Sequence, residues 1–311
     1  MPDIVISEFM DEAAVASLDG GFSVLYDPGL VDRPDALQAA LGEARALIVR
    51  NRTRVTAPLL TAAPRLEAVG RLGVGLDNID MAACRARGVQ VFPATGANDL
   101  AVAEYAVAAA LMLLRGAYHA GAAMLAGAWP RQDLIGREAS GKTLGLVGFG
   151  GIARQVAARA RALGMKVAAC DPFVAAGDPA WQGIARHDSL ESLLPACDVL
   201  SLHVPLTDGT RNLIDARALA TLRPGAVLIN TARGGVVDEA AVAESLRAGH
   251  LGGAALDVFA EEPLTATSAA RFAGLANVIL TPHIAGVTAE ANVRVSALTA
   301  EQVRRALGER K

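Results

Sequence analysis

The chain is poor in aromatic residues: Phe, Trp and Tyr together make up 4%. It therefore lacks the stacking platforms on which single-stranded nucleic acid is held. It also lacks a basic tract, and its net charge is −3. Nucleic acid and anionic membranes need a positive footprint that is missing here. Cysteine is scarce. Cys84, Cys170 and Cys197 are scattered and odd in number, and no C-x-x-C occurs. Zinc and dithiol motifs have no support, so no metal site is expected and the cysteines read as reduced core residues. Long apolar runs are absent too. The longest, Ala106 to Leu114, is too short to span a bilayer. The opening MPDIVISEF carries Asp3 and Glu8, without a basic start or an apolar signal core. The expectation is a cytoplasmic protein with no nucleic-acid and no membrane partner.

What is present is apolar and finely divided. Hydrophobic residues are 52% of the 311, and mean hydropathy is +0.34. That length points to two domains. Short strand signals at Ile4–Ile6, Val24–Tyr26, Ala46–Val49, Ala68–Val69 and Val89–Phe92 alternate with helical patterns. The alternation resumes after residue 140, with strands at Lys166–Cys170, Val199–Leu202, Ala226–Asn230, Gly253–Leu256 and Val278–Leu280. Alternation of this kind builds parallel sheets covered by helices. The fold class is α/β: two Rossmann-like, doubly wound parallel-sheet domains with a cleft between them. A long helix from Asn98 to Ala117 is expected to bridge the halves or to form an oligomer interface, and a last helix, Ala289 to Leu307, is expected to return to the first. The predicted division is 1–97 plus 288–311 for the substrate domain and 98–287 for the nucleotide domain.

The most informative stretch is KTLGLVGFGGIA, Lys142 to Ala153. Leu144–Val147 suits a buried strand, and the apolar spacing Ile152, Val156, Ala160, Leu163 suits a helix. Between them stand Gly148, Gly150 and Ala153. Gly148 permits the tight turn, Gly150 lets a diphosphate approach the backbone, and Ala153 lets helix and strand pack closely. The helix start then offers N–H groups and a positive dipole end to phosphates. A second strand ends at Asp171, placed to accept the ribose hydroxyls and repel a 2′-phosphate. The cofactor expected is NAD.

Three strand ends in the second half carry chemistry: Asn230–Gly235 with Arg233, Asp257 followed by Glu261-Glu262-Pro263, and Thr281-Pro282-His283. Hydride transfer to a 2-oxo acid needs these types. A cation fixes the carboxylate and polarises the carbonyl. A histidine exchanges the proton as the carbonyl becomes an alkoxide. A carboxylate bonded to the histidine holds its orientation and favours its protonated form. The glycines beside Arg233 suggest a ligand close to the backbone. His119, His187 and His250 read as surface or structural, Arg137 and Lys142 as solvated.

These motifs, in order, resemble the D-2-hydroxyacid dehydrogenase family, the D-isomer-specific group containing phosphoglycerate dehydrogenases. The resemblance runs over nearly the whole chain: GRLGVGLDNID, VAEYAV, GKTLGLVGFGGIA, HVPLTDGTRNLI, LRPGAVLINTARGGVVDEAAV, ALDVFAEEPL and TPHIAGVT. It implies an NAD-dependent dehydrogenase of small 2-hydroxy acids. It implies that Arg233 binds the substrate carboxylate and carbonyl, that His283 is the acid/base, and that Glu262, not Glu261, pairs with it. It implies a cofactor site of Gly148, Gly150, Gly151, Ile152, Asp171, His203, Pro205, Thr210, Thr231, Ala232, Asp257 and Gly286. The substrate side would comprise Asn51, Arg52, Val74 and Gly75 with Arg233 and His283, and the assembly would be a homodimer. Ala153 stands where a third glycine is commoner. The longer phosphoglycerate dehydrogenases carry a C-terminal regulatory domain for which no sequence follows here, so serine feedback is not expected.

Arg50, Arg52 and Arg54 close the third strand, which suggests an anionic substituent beyond the carboxylate. ISEFMDEAAV with VRNRTRV resembles the 3-sulfolactate dehydrogenase branch. Phosphate and sulfonate are alike in shape, so 3-phosphoglycerate and 3-sulfolactate both stay open. Rivals are a glyoxylate/hydroxypyruvate reductase, a formate dehydrogenase, against which Glu262 argues, and a non-enzymatic NAD-sensing corepressor.

Overall fold

A computed structural model of the protein describes residues 1–308. Residues 309–311, the end of the expected 288–311 segment, lie outside the described residues. The chain divides into two compact units: Met1–Asn98 with Val287–Lys311, and Asp99–Gly286.

The first unit holds strands β1 (Ile4–Ile6), β2 (Val24–Tyr26), β3 (Ala46–Val49), β4 (Ala68–Arg71) and β5 (Gln90–Pro93). All pair in parallel, in the order β2-β1-β3-β4-β5. β1 and β3 are apolar at every position because both sheet faces are covered. Ile4, Ile6 and Ile48 share a core with Val295, Val303 and Leu307 of the helix Ala289–Leu307. Val5, Leu47 and Val49 share another with Leu37, Leu41, Leu59 and Leu60 of the helices Pro34–Leu41 and Ala57–Ala62. A Cβ on Gly70 of β4 would stand 2.7 Å from Thr299 Cγ2 and 2.8 Å from Val303 Cγ2. The glycine is what lets the last helix lie against the sheet.

The second unit holds β6 (Thr143–Val147), β7 (Lys166–Cys170), β8 (Ala185–His187), β9 (Val199–Leu202), β10 (Ala226–Asn230), β11 (Leu251–Leu256) and β12 (Val278–Leu280). Their order is β12-β11-β10-β9-β6-β7-β8, parallel throughout. The helix Asp99–Arg115 contributes Ala103, Ala106, Ala110 and Leu113 to one core with Ala153, Val156, Ala157 and Ala160 of the helix Gly151–Ala162. Small side chains let these helices approach, which accounts for the abundance of alanine.

Several expectations change. β8 was not anticipated; it is three residues at the sheet edge, Ala-Arg-His, with too little apolar surface to signal a strand. The helix expected to reach Ala117 stops at Arg115, because Gly116 turns to φ 69° and a 3-10 turn follows. Among the described residues no single helix is long and apolar enough to cross a membrane.

Candidate active site

Gly148 takes φ 86°, and a Cβ there would lie 2.5 Å from His203 O. The position therefore admits only glycine, for its backbone and for the neighbouring strand end. Gly150 is exposed, with nothing near a would-be Cβ, and it caps the helix Gly151–Ala162 without a side-chain hydrogen bond. Ile152 is half-buried on the first turn, and Ala153 is fully buried. The first N–H groups of that helix thus meet no capping side chain, as a phosphate-binding turn requires. Asp171 follows β7 and accepts from Phe149 N at 2.7 Å and Phe173 N at 2.8 Å. Its carboxylate is fixed against the glycine turn.

β9, β10, β11 and β12 are adjacent, so His203, Thr231, Asp257 and Thr281 follow their carboxyl ends along one edge. Ligands of open parallel sheets bind at that edge. The Thr231 hydroxyl is buried with no hydrogen-bond partner, a polar atom that a bound group would satisfy. With the uncapped helix start and the Gly148 turn, it makes the residues present a fit for a dinucleotide. His203 Nε2 lies 3.0 Å from Ser201 Oγ, and burial pushes the imidazole down to about 4. It is neutral and donates or accepts without carrying charge. Thr210 Oγ1 donates to Pro205 O at 2.6 Å, closing a turn just beyond His203. Ala232 is buried, and Gly286 follows the His283 turn.

Asp257 is 1% exposed. Its Oδ1 accepts from Thr281 Oγ1 at 2.6 Å and Ile284 N at 2.8 Å, and its Oδ2 from Ala285 N at 2.9 Å. His283 N donates to Asp257 O at 2.8 Å. One buried carboxylate thereby folds Thr281–Ala285 into a tight turn, with His283 at φ 53°. Tyr105 OH supports it, 2.5 Å from Thr281 Oγ1.

In that turn His283 Nδ1 lies 2.8 Å from Glu262 Oε2, while Glu262 Oε1 accepts from Phe259 N at 3.0 Å. Burial alone would raise the Glu262 carboxyl. The hydrogen bonds from His283 and Phe259 N, with the charges of His283 and Arg233, outweigh it and hold the group below its usual value. Glu262 is an anion bonded to the ring, which leaves Nε2 as the nitrogen free to exchange a proton. Asn230, 1% exposed, accepts from Ala232 N at 3.1 Å and donates to Arg233 O at 3.0 Å. Arg233 Nη1 donates to Ala232 O at 2.6 Å.

In the first unit, Glu8 stands out and sequence reasoning missed it. It is 5% exposed. Its carboxylate accepts from Arg50 N at 2.8 Å, Thr53 N at 2.9 Å and Arg52 N at 3.1 Å. Asn78 Nδ2 closes the loop from the other side, 2.7 Å from Thr53 O. An acid two residues past a buried strand was the available signal. Asn51 is exposed, and Arg52 is turned to an exposed ion pair with Asp32. Arg50 is the arginine carried inward, with Nη2 2.8 Å from Asn292 Oδ1. Val74 is half-buried and Gly75 buried. A Cβ on Gly73, at φ 147°, would overlap the Arg71 guanidinium, 1.6 Å from Nη1.

Two further readings are corrected. Gly234 does not open the Arg233 backbone to a ligand; its would-be Cβ lies 1.8 Å from Phe259 O, so close backbone packing demands the glycine. Arg137 is not merely solvated, because Nη2 donates to Gly225 O at 2.5 Å. Among the described residues no group of three or more His, Cys, Asp or Glu is placed to hold a metal ion.

Residues 107–285 match the family described as D-isomer specific 2-hydroxyacid dehydrogenase, NAD binding domain. The (S)-sulfolactate dehydrogenase of Chromohalobacter salexigens is 60% identical over 310 residues, covering 100% of both chains. The D-3-phosphoglycerate dehydrogenase of Mycobacterium leprae is 44% identical over 309 residues, 99% of this chain but only 57% of that one. A protein of Thermus thermophilus with a known crystal structure superposes with a TM-score of 0.88 at 33% identity, over 98% of this chain and 96% of that one. The chain belongs to the D-isomer-specific 2-hydroxyacid dehydrogenase family, and it is an NAD-dependent oxidoreductase acting on a small hydroxy acid.

Proposed function

We propose that Arg233, Glu262 and His283 are the catalytic residues. NAD, when bound, accepts or returns the hydride. Arg233 binds the carboxylate and polarises the carbon–oxygen bond being changed. His283 Nε2 takes the hydroxyl proton in oxidation and gives it back in reduction. Glu262 stabilises the imidazolium and fixes its plane. The observation that carries this is the 2.8 Å bond between His283 Nδ1 and Glu262 Oε2, built on a turn that Asp257 holds. The cofactor is placed on the uncapped helix start at Gly150–Ile152, Asp171 and the orphan hydroxyl of Thr231. His203, Pro205, Thr210, Ala232, Asp257 and Gly286 line its nicotinamide side.

The substrate we propose is a 2-hydroxy acid with an anionic group on carbon 3, with 3-sulfolactate first and 3-phosphoglycerate second. Support comes from the relative named (S)-sulfolactate dehydrogenase and from Arg50, the inward cation of the loop that Glu8 shapes. The S label agrees with a D-specific family. The sulfur attached to carbon 3 outranks the carboxyl oxygens in the naming rules, so the D arrangement of sulfolactate is written S. Comparing kcat/KM across 3-sulfolactate, 3-phosphoglycerate, glycerate, malate and glyoxylate tests this reading. A preference for glyoxylate or glycerate over both anionic substrates overturns it.

The protein is further proposed to work in the cytoplasm as a homodimer. Its three cysteines are buried and unpaired, as in a reducing compartment. Tyr118, Leu125, Trp129 and Ile135 are 67%, 93%, 77% and 76% exposed within one short segment. Large apolar side chains grouped this way mark an association surface.

A further inference from the structure

The helix Asp99–Arg115 begins against the start of the helix Gly151–Ala162. A Cβ built on Gly151 would lie 2.2 Å from Asp99 Oδ2 and 3.3 Å from Asp99 Cγ. The carboxylate therefore occupies the space that a side chain at 151 would need. Among the described residues Asp99 accepts no hydrogen bond and makes no ion pair. Burial raises its carboxyl above the usual value, and no neighbouring charge offsets this.

The cations on the packed helix are engaged elsewhere, Arg161 among them with Nη1 3.4 Å from Gln182 O. Arg154 donates to Phe149 O at 3.0 Å and lies 3.7 Å from Asp178. Arg159 donates to Gln155 Oε1 at 2.9 Å and lies 3.5 Å from Glu104, the next acid on the helix of Asp99. Arg294 donates to Ala97 O at 2.9 Å. Asp171 is taken up by Phe149 and Phe173 N–H. β10 and β11, which the Asp99 helix also covers, contain no charged residue, and His119 lies beyond its far end. A carboxylate left without a partner, at the turn where a diphosphate dianion is to dock, works against that docking whenever it is ionised.

We propose that Asp99 makes cofactor binding proton-linked: it opposes the NAD diphosphate as the anion and admits it as the neutral acid. This rests on the cofactor placement given above. The balance is simple. Cofactor binding moves a proton from solvent onto the Asp99 carboxylate, and release returns it. Affinity is highest at low pH, falls as Asp99 ionises in the free protein, and levels where it is ionised in both states. A side chain at residue 151 would displace the Asp99 carboxylate from the space it now fills.

ADP-ribose is the probe, since it carries the diphosphate but no nicotinamide and so is insulated from His283. Its affinity is measured by titration calorimetry from mildly acidic to mildly alkaline pH, in two buffers of different ionisation enthalpy. Wild-type affinity should fall with pH, with uptake of part of a proton. Asp99→Asn should bind about fivefold more tightly at neutral pH and show no uptake. Gly151→Ala should weaken binding in the wild type but not beside Asp99→Ala. Unchanged affinity and uptake in Asp99→Asn overturns the inference, and so does a pH-independent wild type whatever the variants do. A wild type that does not bind ADP-ribose overturns the cofactor placement instead.

Discussion

Glu262 holds the His283 ring through Nδ1, and in the proposed mechanism it would also supply the negative charge that stabilises the imidazolium. Glu262→Gln keeps the size and can keep a hydrogen bond, but removes the charge. We expect kcat to fall about 10²-fold while NADH binding survives. Stopped-flow NADH fluorescence with steady-state turnover checks it; an unchanged kcat rejects the assignment. A second residue sets a pH limit. His203 is held at about 4 by burial, against about 6.5 in an unfolded chain. Between those values the unfolded state binds more protons than the folded one, so stability rises with pH there. Folding is thus penalised progressively as pH falls from about 6.5 to about 4, by on the order of 3 kcal/mol in all, and no further below. Urea unfolding should show a smaller acid loss in His203→Gln. An identical pH profile in that variant places the loss in another group.

The loop after β3 shows what a single element boundary contributes. Glu8, just past β1, accepts three backbone N–H groups from Arg50, Arg52 and Thr53. Glu8→Gln puts an amide NH2 where only acceptors fit. Losing such a buried charged acceptor costs about 2–3 kcal/mol. The expected outcome is a lower urea midpoint together with a raised KM for 3-sulfolactate and a smaller change for glyoxylate. Equal KM changes for both would separate the loop from substrate choice. This element also shows how far the sequence could be read. The β3 run was legible because it is apolar throughout and β10 because it is apolar up to its last residue, Asn230, and the glycine turn because Gly148, Gly150 and Ala153 sit between periodic segments. Glu8 was not, because its partners lie 42 to 45 residues away and a lone acid has no local signature. For the same reason Arg52 draws attention although its partner is Asp32, and Asp257 reads as a cofactor residue while its bonds to Thr281, Ile284 and Ala285 carry no local signal. β8 escaped because a three-residue polar edge strand carries no hydrophobic period.

At the scale of the whole molecule, the exposed apolar segment 118–135 gives a direct test of association. Leu125→Asp combined with Trp129→Ser should shift the sedimentation coefficient from dimer to monomer at micromolar concentration, with the secondary structure unchanged by circular dichroism. A wild type that sediments as a monomer removes the proposal. The path of the chain has its own consequence. Ile4, Ile6 and Ile48 are covered by Val295, Val303 and Leu307, and the whole second unit is translated in between. A ribosome therefore delivers the sheet of the first unit long before the helix that closes one face of it. Residues 99–286 can complete their own sheet while the first remains open on that side. The segment made first is the one finished last, and its half-covered isoleucines are what a chaperone would meet on the nascent chain.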